Sequence, residues 1–81
     1  MILYVTKQCP NCGKVKRILN DKGYQYEVRD AERLPDECAF YNIESVPALR
    51  FGEGEKATIW LLWMGMKKLD ELLRKHGVRK T

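Results

Sequence analysis

Two cysteines separated by a proline and an asparagine, Cys9-Pro10-Asn11-Cys12, stand where one residue pattern gives way to another. Before them runs Ile2-Leu3-Tyr4-Val5-Thr6, a short apolar stretch with the β-branched and aromatic members of a strand covered on both faces. After them Val15, Ile18, Leu19 and Lys22 share one side of a helical pattern with Cys12. Asn20-Asp21-Lys22-Gly23 closes that helix, with Gly23 at the C′ position. Tyr24 to Arg29 then alternates apolar and polar side chains, as a half-buried strand does. Two strands joined through a helix form a right-handed unit with parallel strands. The cysteine pair is therefore predicted at the junction of the first strand and the first helix.

That junction sets the chemistry. Pro10 suits the first helical position, where an N–H would find no partner anyway. This predicts Cys9 as the N-cap and Cys12 in the first turn. The free backbone N–H groups and the positive end of the helix dipole then face the Cys9 sulfur and favour its thiolate. Its pKa is expected below the free-cysteine value of ~8.5. Cys9, the more exposed of the two, is the candidate nucleophile. Cys12 lies one turn in and is placed to attack a mixed disulfide formed on Cys9. A zinc knuckle is the competing use of such a pair, but zinc usually takes four ligands. The rest of the chain offers Cys38 and His76, neither spaced as a second knuckle, so no metal site is assigned. Unpaired structural cysteines are the remaining alternative.

Beyond Asp30, Leu34-Pro35-Asp36-Glu37 opens a second helix, with a proline and two acids in its first turn. Cys38, Phe40 and Tyr41 are its candidate buried face. Cys38 reads as a small core or near-surface residue, with a regulatory thiol or an extra disulfide partner as the alternative. In Val46-Pro47-Ala48-Leu49-Arg50-Phe51, Pro47 opens a strand in which Leu49 and Phe51 share one face and Arg50 takes the other. Gly52 to Glu55 is a turn, and Lys56 to Trp60 returns antiparallel. Leu61 to Met66 either prolongs this strand or forms a packed loop. Trp60 and Trp63 read as core or rim packing. Lys67 to His76 forms the last helix on a stripe of Leu69, Leu72, Leu73 and His76, with Gly77 as its stop and Arg74 and Lys75 complementing its dipole. His76 is given no catalytic role.

A chain of 81 residues is expected to form one domain, 1–81, with a modest core of its own. No apolar run approaches the ~18 residues of a membrane span, so no membrane partner is expected. Met1 leads straight into the first strand pattern without a basic leader. The expected location is a reducing cytoplasm, where such a cysteine pair is catalytic or metal-binding rather than a staple. The net charge of +4 is unevenly spread. Bases gather in the first helix and toward the C-terminus, and acids gather between Asp30 and Glu44. Solvated helix faces explain this, and a basic surface that steers an acidic partner is the alternative. No nucleic-acid motif accompanies the charge, so no nucleic-acid partner is expected.

The order strand, C-P-x-C, helix, strand, helix, V-P, hairpin, helix resembles the glutaredoxins and small glutaredoxin-like redoxins of the thioredoxin-fold superfamily. The resemblance covers essentially the whole chain. Tyr4-Val5-Thr6-Lys7 ahead of the pair, the pair itself, and Ser45-Val46-Pro47 carry it. It implies an α/β thioredoxin fold, βαβ then ββα, with a four-stranded mixed sheet flanked by three helices. It implies Cys9 as attacking thiolate, Cys12 as resolving thiol, and a cis Val46–Pro47 bond. Substrate would contact Pro10 and Pro47 and pair edge-to-edge with the Val46 backbone. Lys7 would place a cation beside the thiolate or a glutathione carboxylate.

The activity implied is dithiol–disulfide oxidoreduction of protein disulfides by a monomer, with ribonucleotide reductase among the clients. Electrons would come from glutathione or a thioredoxin reductase, and no cofactor would be tightly bound. The alternatives are a glutathione-dependent deglutathionylase, which needs Cys9 alone, and a metal or iron–sulfur carrier dimerising around Cys9. This chain departs from the family pattern in two places. Trp63-Met64-Gly65-Met66-Lys67-Lys68 has one glycine and no acid where glutaredoxins commonly carry Gly-Gly and an acid. Pro-Asn stands between the cysteines instead of the usual Pro-Tyr.

Overall fold

A computed structural model of the chain describes residues 1–76. The first strand, β1 (Ile2–Val5), leads to helix α1 (Cys12–Asp21) and strand β2 (Glu27–Asp30). Helix α2 (Pro35–Phe40), strands β3 (Ala48–Phe51) and β4 (Thr58–Leu61), and helix α3 (Met66–Lys75) follow. The sheet order is β2-β1-β3-β4. β1 runs parallel to β2 and antiparallel to β3, and β3 runs antiparallel to β4. This is the α/β thioredoxin fold that the element order implied.

Alternation along the strands divides the core into two layers. Leu3, Leu49 and Trp60 form one cross-sheet rung. With Phe51 they pack against Val15 and Leu19 of α1 and Leu69, Leu72 and Leu73 of α3. Full burial of each such side chain contributes about 1.5–3 kcal/mol. The opposite face carries Ile2, Tyr4 and Ala48, covered by Ile43, Cys38 and Tyr41. His76, the expected edge of the α3 stripe, stacks on Phe51 with ring centroids 5.0 Å apart.

Arg50 takes the face opposite Leu49, as expected, but it is buried to 4% exposure. Its Nη1 donates to the Tyr4 hydroxyl at 3.1 Å and lies 3.7 Å from Glu37 Oε2. Its guanidinium sits 4.4 Å above the Tyr41 ring, a cation–π contact. The Tyr4 hydroxyl donates in turn to Glu37, and Arg29 Nη1 donates to both oxygens of the same carboxylate at 3.1 and 2.9 Å. One side chain of α2 thereby binds groups from β1, β2 and β3. The Tyr4 hydrogen bond, with Arg29 behind it, holds the Glu37 carboxyl below its ordinary pKa. Burial, with that same bond, raises the Tyr4 hydroxyl.

Several local expectations are corrected. α1 starts at Cys12 with Asn11 as its N-cap, so Pro10 stands in the preceding turn and not at the first helical position. β2 covers Glu27–Asp30 and not Tyr24 to Arg29. Tyr24 and Tyr26 still pack on the first core layer, but Val28 is 44% exposed, because β2 is an edge strand. Phe40 is 61% exposed, since the six-residue α2 has room on its sheet-facing side for little beyond Cys38. Trp60 is buried as expected, whereas Trp63 is 78% exposed and packs in neither core nor rim.

The ambiguous stretch splits. Leu61 ends β4, Leu62–Met64 form a single 3₁₀ turn, and Gly65 at φ 88° is the N-cap of α3. That positive φ is one a side chain would strain, and it turns the Gly65 carbonyl to accept from Trp60 Nε1 at 2.9 Å. Gly23, at φ 78°, follows the α1 C-cap as expected. The expected helix stop at Gly77 lies outside the described residues.

Glu37→Gln tests the carboxylate that ties α2 to the sheet. Urea unfolding near neutral pH should show a loss of about 1.5–3 kcal/mol, the range for hydrogen bonds to a charged group. A carboxyl whose folded pKa is depressed stabilises above its unfolded value of ~4.3, and that contribution disappears as pH falls through the folded value. The gap between wild type and variant should therefore narrow on acidification below about pH 4. A gap independent of pH would count against the charged network.

Candidate active site

β1 ends at Val5, and residues Thr6 to Asn11 carry the chain over the top of the sheet into α1. Cys12 is the first residue of the helix and shares its inward face with Val15 and Leu19, so it is only 5% exposed. Cys9 lies in the turn before the helix and is half-buried. The Cys12 N–H donates to the Cys9 carbonyl at 3.4 Å, and the first full helical bond runs from the Val15 N–H to the Asn11 carbonyl at 3.2 Å. A disulfide joins Cys9 to Cys12, with Cα atoms 5.4 Å apart.

The electrostatics of this turn follow from what is missing around it. Asn11 makes no side-chain bond to the helix end, and the first turn contains no acid. The orphan N–H groups that every helix start leaves are therefore not occupied by a side chain. The charged side chains closest in sequence to the pair, Lys7 and Lys14, are positive and exposed. A negative sulfur in this turn meets a favourable dipole end and no carboxylate from the first turn. Displacing the N-cap from Cys9 to Asn11 leaves Cys9 within the turn that opens the helix.

The Val46–Pro47 peptide bond is cis, as the resemblance implied. β3 begins directly after it, and Ala48 pairs with Tyr4 near the C-terminal end of β1. Antiparallel pairing thus returns Pro47 to the sheet end from which the cysteine loop departs. Pro47 is fully buried and Val46 half-buried. Pro10 and Lys7 are exposed in the cysteine loop, and Lys7 forms no ion pair among the described residues. β4 ends at the same edge, since Leu61 pairs with Ala48, and this brings exposed Trp63 to that end as well.

Three features escaped the sequence. Asn11 is the N-cap, although asparagine is among the preferred caps and was the available signal. Trp63 is exposed, because the rung that buries Trp60 turns the chain outward immediately afterwards. Thr6 and Val46 line a shared cleft of about 250 Å3 with Cys38 and Ile43. Cys38 is the free cysteine, and burial, followed by the neighbouring Glu37 charge, pushes its thiol pKa up. A larger open hollow, about 720 Å3, lies at the opposite end of the sheet between Met1, Gln25, Phe51 and His76, and no cysteine lines it. Among the described residues, no three His, Cys, Asp or Glu side chains are grouped to hold a metal ion. None of the described helices is long and apolar enough to cross a membrane.

A model of the glutaredoxin family matches residues 1–53, the segment that contains the cysteine pair, β1 to β3 and the cis proline. N-acetyl-S-hydroxy-L-cysteine reductase of Bacillus subtilis (strain 168) is 29% identical over 81 residues, covering 95% of this chain and 86% of that one. No solved structure matches the chain significantly. With two cysteines bonded at the start of a helix, inside the segment that the family model covers, the chain belongs to the glutaredoxin family and is a thiol–disulfide oxidoreductase.

Proposed function

We propose that this chain is a dithiol reductase of protein disulfides in which Cys9 attacks and Cys12 resolves. The observation that carries the reading is the asymmetry of the pair: Cys9 is half-buried in the turn before an acid-free helix start, and Cys12, the first helical residue, is 5% exposed. The Cys9 thiolate attacks one sulfur of a client disulfide. A Cys9–client bond forms, the client S–S bond breaks, and the departing client sulfur takes a proton from solvent. Cys12 then loses its proton and attacks the Cys9 sulfur. The second client thiol leaves, and Cys9–Cys12 is oxidised while the client has gained two electrons and two protons.

Two electrons must return from glutathione, as two molecules forming glutathione disulfide, or from a flavin-dependent thioredoxin reductase. The single glycine and absent acid in Trp63–Lys68 favour the reductase. Lys7 stabilises the thiolate, and the Val46 backbone pairs with an extended client segment flanked by Pro10 and Pro47. The protein acts as a monomer in a reducing cytoplasm, without a resident cofactor, on clients that include ribonucleotide reductase.

The name of the Bacillus relative supports a second substrate class, a small cysteine sulfenic acid. Attack by Cys9 on that sulfur would release hydroxide, protonated to water, and form the same kind of mixed disulfide for Cys12 to resolve. Exposed Lys7 and Lys14 suit the carboxylate of such a substrate. Glutathione-dependent deglutathionylation would need Cys9 alone, so Cys12→Ser separates it from both dithiol reactions.

In the reduced protein, iodoacetamide at neutral pH should modify Cys9 about tenfold faster than Cys38, because a lowered pKa leaves far more thiolate. Asn11→Asp should slow Cys9 by raising its pKa about half a unit, since the new carboxylate competes for the first-turn N–H groups. Titration of wild-type Cys9 like an ordinary thiol would remove the basis of the mechanism.

Cys9→Ser should abolish reduction of protein disulfides. Cys12→Ser should instead accumulate a mixed disulfide with the client, visible by mass spectrometry. Turnover measured separately with glutathione and with thioredoxin reductase assigns the donor. No turnover with either would sink the reading.

A further inference from the structure

The cleft beside Val46, at about 250 Å3, is smaller than the ~300–1,000 Å3 of pockets that enclose whole small-molecule ligands, and its volume suits a single side chain. Buried Ile43 and half-buried Ala31 and Cys38 form an apolar floor. Glu32 and Glu44 stand exposed at its rim. Among the described residues no lysine or arginine lines it. Among the described residues neither rim carboxylate is in an ion pair, because the cations nearby in the chain are committed elsewhere. Arg33 lies 3.7 Å from Asp30, and Arg29 bonds Glu27 and Glu37. The cleft therefore combines an apolar base with uncompensated negative charge, next to the backbone on which the proposed client segment would lie.

We propose that this cleft is a specificity pocket that takes a lysine or arginine neighbouring the client cysteine. The inference rests on the reading that an extended client pairs with Val46 and is reduced at Cys9. Such a segment sends alternate side chains to opposite sides, so a residue close to its cysteine reaches the cleft. Long basic side chains lay an apolar stem along apolar surface while keeping the charged head in water. Here the stem covers Ile43 and Ala31, and the head meets Glu32 and Glu44. A glutamate in the same place would face two like charges. Lys7 in the cysteine loop and Lys14 in α1 are exposed cations that flank the redox pair in sequence, and neither lines the cleft.

The test is single-turnover reduction of matched disulfide peptides by the pre-reduced full chain, which needs no electron donor. The peptides carry lysine, norleucine or glutamate on either side of the cysteine. At low ionic strength the lysine peptide should react about three- to tenfold faster than the glutamate peptide on one side of the cysteine, as expected for one or two exposed ion pairs. The preference should shrink with added salt and invert in the Glu32→Lys/Glu44→Lys double variant. Cys38 supplies a readout apart from rate. In the Cys12→Ser protein trapped with the lysine peptide, Cys38 should be alkylated more slowly than in the complex with a glycine peptide. Equal rates for the three wild-type peptides, or a preference untouched by charge reversal, would overturn the pocket and leave disulfide reduction standing. If the wild-type protein reduces none of the peptides, the disulfide-reducing reading fails, and the pocket with it.

Discussion

Burial of β1 on both faces positions everything at the cysteine end. Leu3 and Tyr4 are adjacent and both fully buried, one beneath α1 and α3, the other beneath α2. A strand held in this way cannot slip by one residue without exchanging the two layers. Its C-terminal end is therefore a fixed point, and Thr6 to Asn11 leave from it. The antiparallel register with β3 uses the same strand to set Pro47, and the register of β3 with β4 sets the Trp63 turn. Three segments far apart in sequence stand at the same end of the sheet because these registers place them there.

The two layers differ electrically. The α1–α3 layer is closed by aliphatic packing and carries exposed lysines and arginines outward. The α2 layer is held by Glu37, whose carboxylate accepts from Tyr4 and Arg29 and lies within 3.7 Å of Arg50. A lone buried guanidinium would be costly. Arg50 avoids part of that cost through Tyr4, Glu37 and the Tyr41 ring, although its Nε is buried without a partner among the described residues. The redox pair sits where the basic layer meets the loop end of the acidic one.

The family pattern is kept at the pair and the cis proline and changed around them. The segment before α3 turns on one glycine, exposes a tryptophan and begins the helix with lysines. An apolar ring and cations at this sheet end offer a protein surface or a small anion more than they offer a tailored peptide cradle. That is the structural reason for weighing a thioredoxin reductase above glutathione as donor, and for taking seriously a small sulfenic acid as substrate.

Local pattern alone decided a good deal here. The cysteine spacing, the helical stripe after it, the alternation in β3, the proline and acids opening α2 and the glycine closing α1 each depend on residues within a turn of one another, and each stands in the structure. The cysteine pair was legible from its place between a strand pattern and a helical pattern, and the cis Val46–Pro47 bond from the family resemblance. Other features depended on distant neighbours. Glu37 read as a first-turn acid until the fold brought Tyr4, 33 residues away, within hydrogen-bonding distance. Arg50 read only as the residue on the face opposite Leu49, and its burial was decided by Tyr4, 46 residues away, and Tyr41. Val28 and Phe40 carry apolar side chains that local pattern would bury, and no element covers them. Periodicity tells which side chains share a face, but only the packed neighbours determine whether that face meets water.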